Sequence, residues 1–123
     1  MILYACADLI FATKVRSTAE SLGVRTRPVR DADMLTARLD RVDDGKCNDP
    51  VSALLVDLDL DAGPDLIRRC KAHSPAVPVV AFGSHVATAV LAAAEAAGAD
   101  HVLSRGTFTA QLPTILTRLG VAV

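Results

Sequence analysis

The hydrophobic residues of this chain alternate between short unbroken runs and stripes with helical spacing. The unbroken runs predict five strands, at residues 2–7, 24–29, 51–57, 77–82 and 100–104. Between them, apolar residues recur three or four positions apart, as one face of a helix requires. These stripes are Phe11, Val15, Ala19 and Leu22; Leu35, Leu39 and Val42; Leu66, Ile67 and Cys70; and Leu112, Ile115, Leu116 and Leu119. Together with VATAVLAAAEAAG at 86–98, they predict a helix after each strand.

Turn-forming residues agree with these boundaries. Gly23 and Gly98 follow the first and fourth predicted helices, where a helix often ends in a left-handed residue. Pro113 suits the first turn of the last helix, with Thr107 or Thr109 as the capping residue. The alternation of strand and helix therefore repeats five times.

Apolar strands joined by helical crossovers predict a parallel sheet covered on both faces. The fold class is a doubly wound α/β sheet, in a single domain spanning residues 1–123. Pro28 places the second strand at a sheet edge, because proline cannot donate to a central ladder. The polar segment DDGKCND at 43–49 is expected to form a surface loop.

Composition narrows the function classes. Hydrophobic residues make up 51% of the chain, aromatic residues only 3%, and the net charge is −1, so direct binding to nucleic acid is not expected. Three widely spaced cysteines (Cys6, Cys47 and Cys70) suit structural thiols in a reducing cytoplasm. The opening MILYACADLIFA predicts a first strand, since it lacks the charged start of a signal peptide and is too short to span a membrane.

Polar residues follow most of the predicted strands. Asp8 comes after the first, Asp57 ends the third, Ser84 follows the fourth and Arg105 follows the fifth. In a doubly wound sheet these positions share one edge. Two carboxylates within about 5 Å repel each other by roughly 3 kcal/mol at an effective dielectric near 20. A divalent cation, an arginine or protonation is expected to offset that repulsion.

At these residues the sequence resembles the receiver domain of two-component response regulators. The resemblance covers nearly the whole chain, and it is carried by the five strand-helix units, by ALLVD ending in Asp57, and by EAAGADHVLSRGTF at 95–108. It implies a flavodoxin-like fold with strand order 2-1-3-4-5. It also implies that Asp57 is the phosphoryl acceptor, that Asp8, Asp57 and the backbone carbonyl of Asp59 hold Mg²⁺, and that Ser84 and Arg105 contact the phosphoryl group.

The chain departs from the pattern of that family at several positions. Ala7-Asp8 replaces an acidic pair, which weakens any Mg²⁺ site. Gly83 stands at the hydroxyl position, with Ser84 one residue late. Arg105 replaces a lysine, and Gly106 replaces the following proline. Val102 stands where many members carry an aromatic residue.

The predicted fourth helix carries only one charge, Glu95, so its outward face is unusually apolar for a surface helix. The resemblance implies that the fourth helix, fifth strand and fifth helix form a dimer or output face. Its expected partners are a histidine kinase, an output protein or a second copy of the chain. The residues predicted to contribute are Val90, Ala93, Ala94 and Val102. A well-formed alanine-rich helix without a partner is the alternative reading.

Two other motif readings fit less well. An EF-hand would need glycine at position 62 and glutamate at 68, where the chain has Ala62 and Arg68. The start of the haloacid dehalogenase motif matches Asp57-Leu58-Asp59, but the chain leaves no room for the last acidic motif of that family. His73, His85 and His101 are not paired at zinc-ligand spacing.

Three hypotheses follow. The preferred one is a stand-alone pseudo-receiver that acts through protein contacts and is not an enzyme. The second is a receiver phosphorylated on Asp57 with Mg²⁺. The third is a small haloacid dehalogenase-like phosphotransfer enzyme using Asp57 and Asp59.

Overall fold

The computed structural model describes residues 1–40, 42–43, 46–47 and 50–120. Within these ranges the strands are β1 Ile2–Ala5, β2 Thr26–Pro28, β3 Val42–Asp43, β4 Lys46–Cys47, β5 Ala53–Asp57, β6 Val79–Gly83 and β7 His101–Ser104. The helices are α1 Leu9–Ser21, α2 Ala32–Leu39, α3 Gly63–His73, α4 Thr88–Ala96 and α5 Arg105–Leu119.

Five strands form one parallel sheet in the order β2-β1-β5-β6-β7. This order confirms the predicted doubly wound topology, in which the third predicted strand is β5, the fourth β6 and the fifth β7. Pro28 lies in the edge strand β2, opposite Tyr4 of β1. An edge strand tolerates proline because its outer N–H groups have no ladder to join.

The core has two layers, one on each face of the sheet. Along β1, Leu3 and Ala5 point to the layer that includes buried residues of α2, α3 and α4. Ile2 and Tyr4 point to the opposite layer, which includes buried residues of α1 and α5. The period of two along each strand thus supplies both layers, and this explains why the strands are apolar throughout.

The predicted surface loop at 43–49 is wrong in part, because β3 and β4 form a short antiparallel hairpin. Val42 was predicted to lie on the face of the second helix. That prediction is also wrong, because α2 ends at Leu39 with Asp40 as its C-cap. Within the predicted loop at 43–49, residues 44, 45, 48 and 49 lie outside the described residues.

The last helix starts earlier than predicted. Ser104 caps α5 by accepting a hydrogen bond from the Thr107 backbone N–H at 3.2 Å, so neither Thr107 nor Thr109 is the cap. Pro113 consequently lies inside the helix rather than in its first turn. The early start makes Arg105 the first helical residue, directly at the tip of β7.

The expected helix-ending glycines are confirmed. Gly23 has φ 72° and Gly98 has φ 108°, a region that costs L-residues with a side chain roughly 1–2 kcal/mol.

Candidate functional site

The candidate site lies at the carboxyl edge of the sheet and centres on Asp57, the last residue of β5. Its side chain is completely buried. One carboxylate oxygen, Oδ2, accepts from the Ala7 backbone N–H at 3.1 Å. The other, Oδ1, accepts from the Asp59 backbone N–H at 3.0 Å and from Arg105 Nη2 at 3.1 Å. The buried charge is therefore held by three donors from three segments of the chain.

Arg105 joins two carboxylates. Its Nη2 donates to Asp59 Oδ2 at 2.8 Å as well as to Asp57. Its side chain is 31% exposed, whereas that of Asp59 is 64% exposed, so the guanidinium sits between the buried carboxylate and solvent. The repulsion between these two carboxylates is therefore offset by an arginine, one of the three means expected from the sequence.

Three phenylalanines pack beneath Arg105. The guanidinium carbon lies 5.4 Å from the ring centroid of Phe11 and 5.7 Å from that of Phe82, within cation–π range. Phe82 stacks on Phe108 with centroids 3.9 Å apart. These are all the phenylalanines of the chain. Each lies at an ordinary core position of its own element, so the sequence gives no signal that the three rings meet near Arg105.

Asp8 is at the same edge but serves another purpose. Its carboxylate caps α1 by accepting from the Ile10 backbone N–H at 2.7 Å. Among the described residues, no group of three or more His, Cys, Asp and Glu side chains is placed to hold a metal ion. Asp8 and Asp57 each accept from a backbone N–H, and the Asp59 carboxylate pairs with Arg105.

Ser84 is also engaged locally. Its hydroxyl lies 3.4 Å from the Val86 backbone N–H, and no hydrogen bond joins it to Asp57. The preceding residue, Gly83, is buried, and a Cβ placed there would lie 3.2 Å from Leu58 Cβ. Such a contact is tight, so Leu58 would have to shift before position 83 could carry a hydroxyl.

Cys6 lies beside the site, between the end of β1 and Asp8, the N-cap of α1. Burial is the main cause that raises the pKa of its thiol to about 12, and the negative charge of Asp57 raises it further. The thiol is therefore uncharged at neutral pH, in agreement with its prediction as a structural cysteine.

The predicted partner face is only partly exposed. Val90 is 38% exposed and Ala93 is exposed, while Val102 is half-buried against the core. Ala94 is completely buried, so its assignment to the partner face is wrong. On a helix as apolar as α4, the sequence does not mark which of two adjacent alanines faces inward.

In the described residues, no helix is both long enough and apolar enough to cross a membrane.

Comparison with known proteins supports the fold. No protein-family model matches the sequence, and no curated protein matches it. Among solved structures, the receiver domain of NtrX from Brucella abortus is similar, with a TM-score of 0.74 at 22% identity over 97% of both chains.

Two further structures are similar. One is the receiver domain of sensor histidine kinase PA1611 from Pseudomonas aeruginosa PAO1, which has a magnesium ion coordinated in its active site cleft. Its TM-score is 0.74 at 23% identity, and the match covers 96% of this chain and 94% of that one. The other is a response regulator from Thermotoga maritima, with a TM-score of 0.72 at 16% identity over 96% of this chain and 94% of that one. The chain thus has the flavodoxin-like fold of response-regulator receiver domains, with Asp57 at the tip of its central strand.

Proposed function

We propose that this chain is a receiver-like signalling module that acts through protein contacts and does not depend on phosphorylation of Asp57. One observation carries the proposal: the guanidinium of Arg105 bridges Asp57 and Asp59. A fixed cation there offsets the repulsion between the carboxylates that a divalent ion would otherwise offset.

The other parts of the site support the same conclusion. Phosphoryl transfer relies on positioned cations and donors around the transferred group. Asp8 is used as a helix cap, and Ser84 is turned to its own loop. The Oδ1 atom of Asp57 already accepts two hydrogen bonds, one of them from Arg105, so a phosphoryl group arriving at that oxygen would have to displace the guanidinium.

A weak Mg²⁺ site at Asp8, Asp57 and Asp59 is consistent with the likeness to a receiver domain that contains magnesium. The ion would compete with the Arg105 guanidinium for Asp57 Oδ1 and with the Ile10 N–H for Asp8 Oδ1. Both competitions oppose binding, which agrees with the weak site expected from a reduced acidic pair.

The test is to expose the chain to Mg²⁺ with beryllofluoride while recording amide resonances, and to acetyl phosphate while recording mass. We expect neither a saturable shift around Asp57 nor an added phosphoryl mass. A response that disappears in Asp57→Asn would instead establish the phosphorylatable receiver. Turnover of a phosphorylated small molecule, lost in Asp59→Asn, would establish the dehalogenase-like enzyme.

The proposed contact face consists of α4, β7 and α5, with Val90, Ala93 and Val102 as candidate residues. Support comes from the low charge of α4 and from the exposure of Val86 (74%) and Val90 (38%). The proposed occupant is a histidine kinase, an output protein or a second copy of the chain, with no direct contact to nucleic acid. A cytoplasmic location is part of the same proposal.

Self-association is measured by light scattering. We expect Ala93→Glu to lower the apparent mass, because it places a charge in the apolar face. Ser17→Glu, on the exposed side of α1, is the matched control and should not change the mass. A chain that stays monomeric at high concentration would leave only a different protein as the partner.

A further inference from the structure

A cleft of about 380 Å³ opens between α1 and the end of β2. We call it the α1–β2 cleft. Its polar lining residues include Tyr4, Thr13, Arg16 and Arg30. Its volume is within the range of small-molecule sites, which begins at roughly 300 Å³. Neither Asp57 nor Asp59 lines it; the cleft adjoins the candidate site through Ala7 but does not include its carboxylates.

Two arginines give the cleft a positive charge. Arg16 comes from α1, and Arg30 follows β2. In the part of the chain that the structure describes, neither guanidinium has a carboxylate within ion-pair distance, and no acidic residue lines the cleft. Arginine presents a planar set of donors that matches a carboxylate or phosphate group.

Tyr4 supplies a second, independent observation. Its side chain belongs to the core and the residue is only 4% exposed, yet it lines the cleft. Its hydroxyl has no hydrogen-bond partner among the described residues. Buried tyrosine hydroxyls are nearly always paired, so one that is left unpaired at the edge of a cleft indicates a missing acceptor.

The remaining polar groups do not compete for that acceptor. The Thr13 hydroxyl already donates to the Leu9 carbonyl at 2.8 Å. The Cys6 thiol, which also lines the cleft, is uncharged at neutral pH because burial raises its pKa to about 12. Among the described residues, the polar groups of the cleft that have no partner are two guanidiniums, which can only donate, and a phenol, which can donate. The other walls are apolar and include Leu9, Ala12, Val29 and Leu60.

We propose that the α1–β2 cleft binds a small organic anion, with its carboxylate or phosphate group between Arg16 and Arg30 and within reach of the Tyr4 hydroxyl. Its apolar body would pack on Leu9 and Val29. This site does not depend on the function proposed for the Asp57 edge.

The experiment titrates the full chain with phenyl phosphate, benzoate, inorganic phosphate and the neutral benzyl alcohol, and follows backbone amide resonances. We expect saturable shifts near Tyr4, Thr13 and Arg30 with the two organic anions, at a Kd on the order of 1 mM. The tighter of the two identifies the preferred anionic group. Inorganic phosphate should bind more weakly, and benzyl alcohol should not saturate.

Variants identify the residues that bind. Arg16→Gln and Arg30→Gln should each weaken binding about tenfold, since each removes a charge-assisted hydrogen bond. Arg69→Gln, on the exposed surface of α3, is the matched control and should bind normally. Tyr4→Phe should weaken binding while leaving the free protein at least as stable as the wild type, because it removes an unpaired hydroxyl.

Each of these outcomes would overturn the proposal: no saturable shift up to about 10 mM ligand, binding of benzyl alcohol as tight as that of the anions, or wild-type affinity in both arginine variants. Asp57→Asn should leave the binding unchanged. Loss of binding in that variant would place the ligand at the Asp57 edge and would also overturn the proposal, whatever the outcome of the phosphorylation test.

Discussion

Replacing Arg105 with alanine tests the central contact of the molecule. The change removes a charge-assisted hydrogen bond to a completely buried carboxylate, a contribution of about 1.5–3 kcal/mol. It also removes the contact of the guanidinium with Phe11 and Phe82, worth about 0.5–1 kcal/mol where the cation is partly exposed. The bridge to Asp59 adds little, because that carboxylate is mostly in solvent.

We therefore expect Arg105→Ala to lower the free energy of unfolding by about 2–3 kcal/mol, since Asp57 keeps its two backbone donors. Urea denaturation measures this as a lower midpoint with an unchanged slope. Arg69→Ala is the control, because it removes an arginine that pairs with Asp65 on the exposed surface of α3. Such a pair contributes at most about 1 kcal/mol.

The same variant should acquire a response to Mg²⁺. Without the guanidinium, Asp57 and Asp59 lose their shared cation, and a divalent ion can take its place. At ten times its Kd the ion would stabilise the variant by about 1.4 kcal/mol, while the wild type should barely respond. Adding Asp57→Asn to the variant should abolish the response. An Arg105→Ala variant as stable as Arg69→Ala, and equally indifferent to Mg²⁺, would refute the reasoning.

Three further predictions concern stability. Gly83→Ala should cost about 1–3 kcal/mol, seen as a lower urea midpoint, because the new Cβ crowds Leu58 at 3.2 Å; an unchanged midpoint would show that Leu58 moves freely. Gly23→Ala should cost about 1 kcal/mol from its positive φ alone, as no atom lies near its Cβ, and unaltered thermal unfolding would contradict this. Burial would raise the pKa of Asp100, but hydrogen bonds from Lys71 and the Val79 N–H outweigh it and lower that pKa. The stability from Asp100 is thus present above about pH 4 and lost as the pH falls further, so Asp100→Asn should be less stable than wild type at pH 7 and the gap should shrink by about pH 3. A constant gap would mean that the charge of Asp100 does not matter.

Much of the fold follows from the sequence because burial patterns are local. A strand buried on both faces is apolar at every position, as in 53–56, and a helix on a sheet needs a stripe with a period near 3.6. Right-handed crossovers then leave few arrangements of five such units. The same pattern predicts that Asp57 and Arg105 lie at one edge of the sheet, and there they form an ion pair with an Nη2–Oδ1 distance of 3.1 Å.

Choices between neighbouring residues were decided by the tertiary structure. Ser104 rather than a threonine caps α5, and Ala94 is buried in the core while the adjacent Ala93 is exposed. Small shifts in where a helix begins or turns exchange equivalent residues of this kind. The carboxylate of Asp8 turned to the Ile10 N–H and Arg105 turned to both Asp57 and Asp59. Each polar side chain pairs with whichever partner the packed chain brings within about 3 Å, and that partner can lie dozens of residues away. The sequence by itself determined which side chains reach this edge of the sheet; only the packed structure decided which of them pair, and which, like the Tyr4 hydroxyl, have no partner among the described residues.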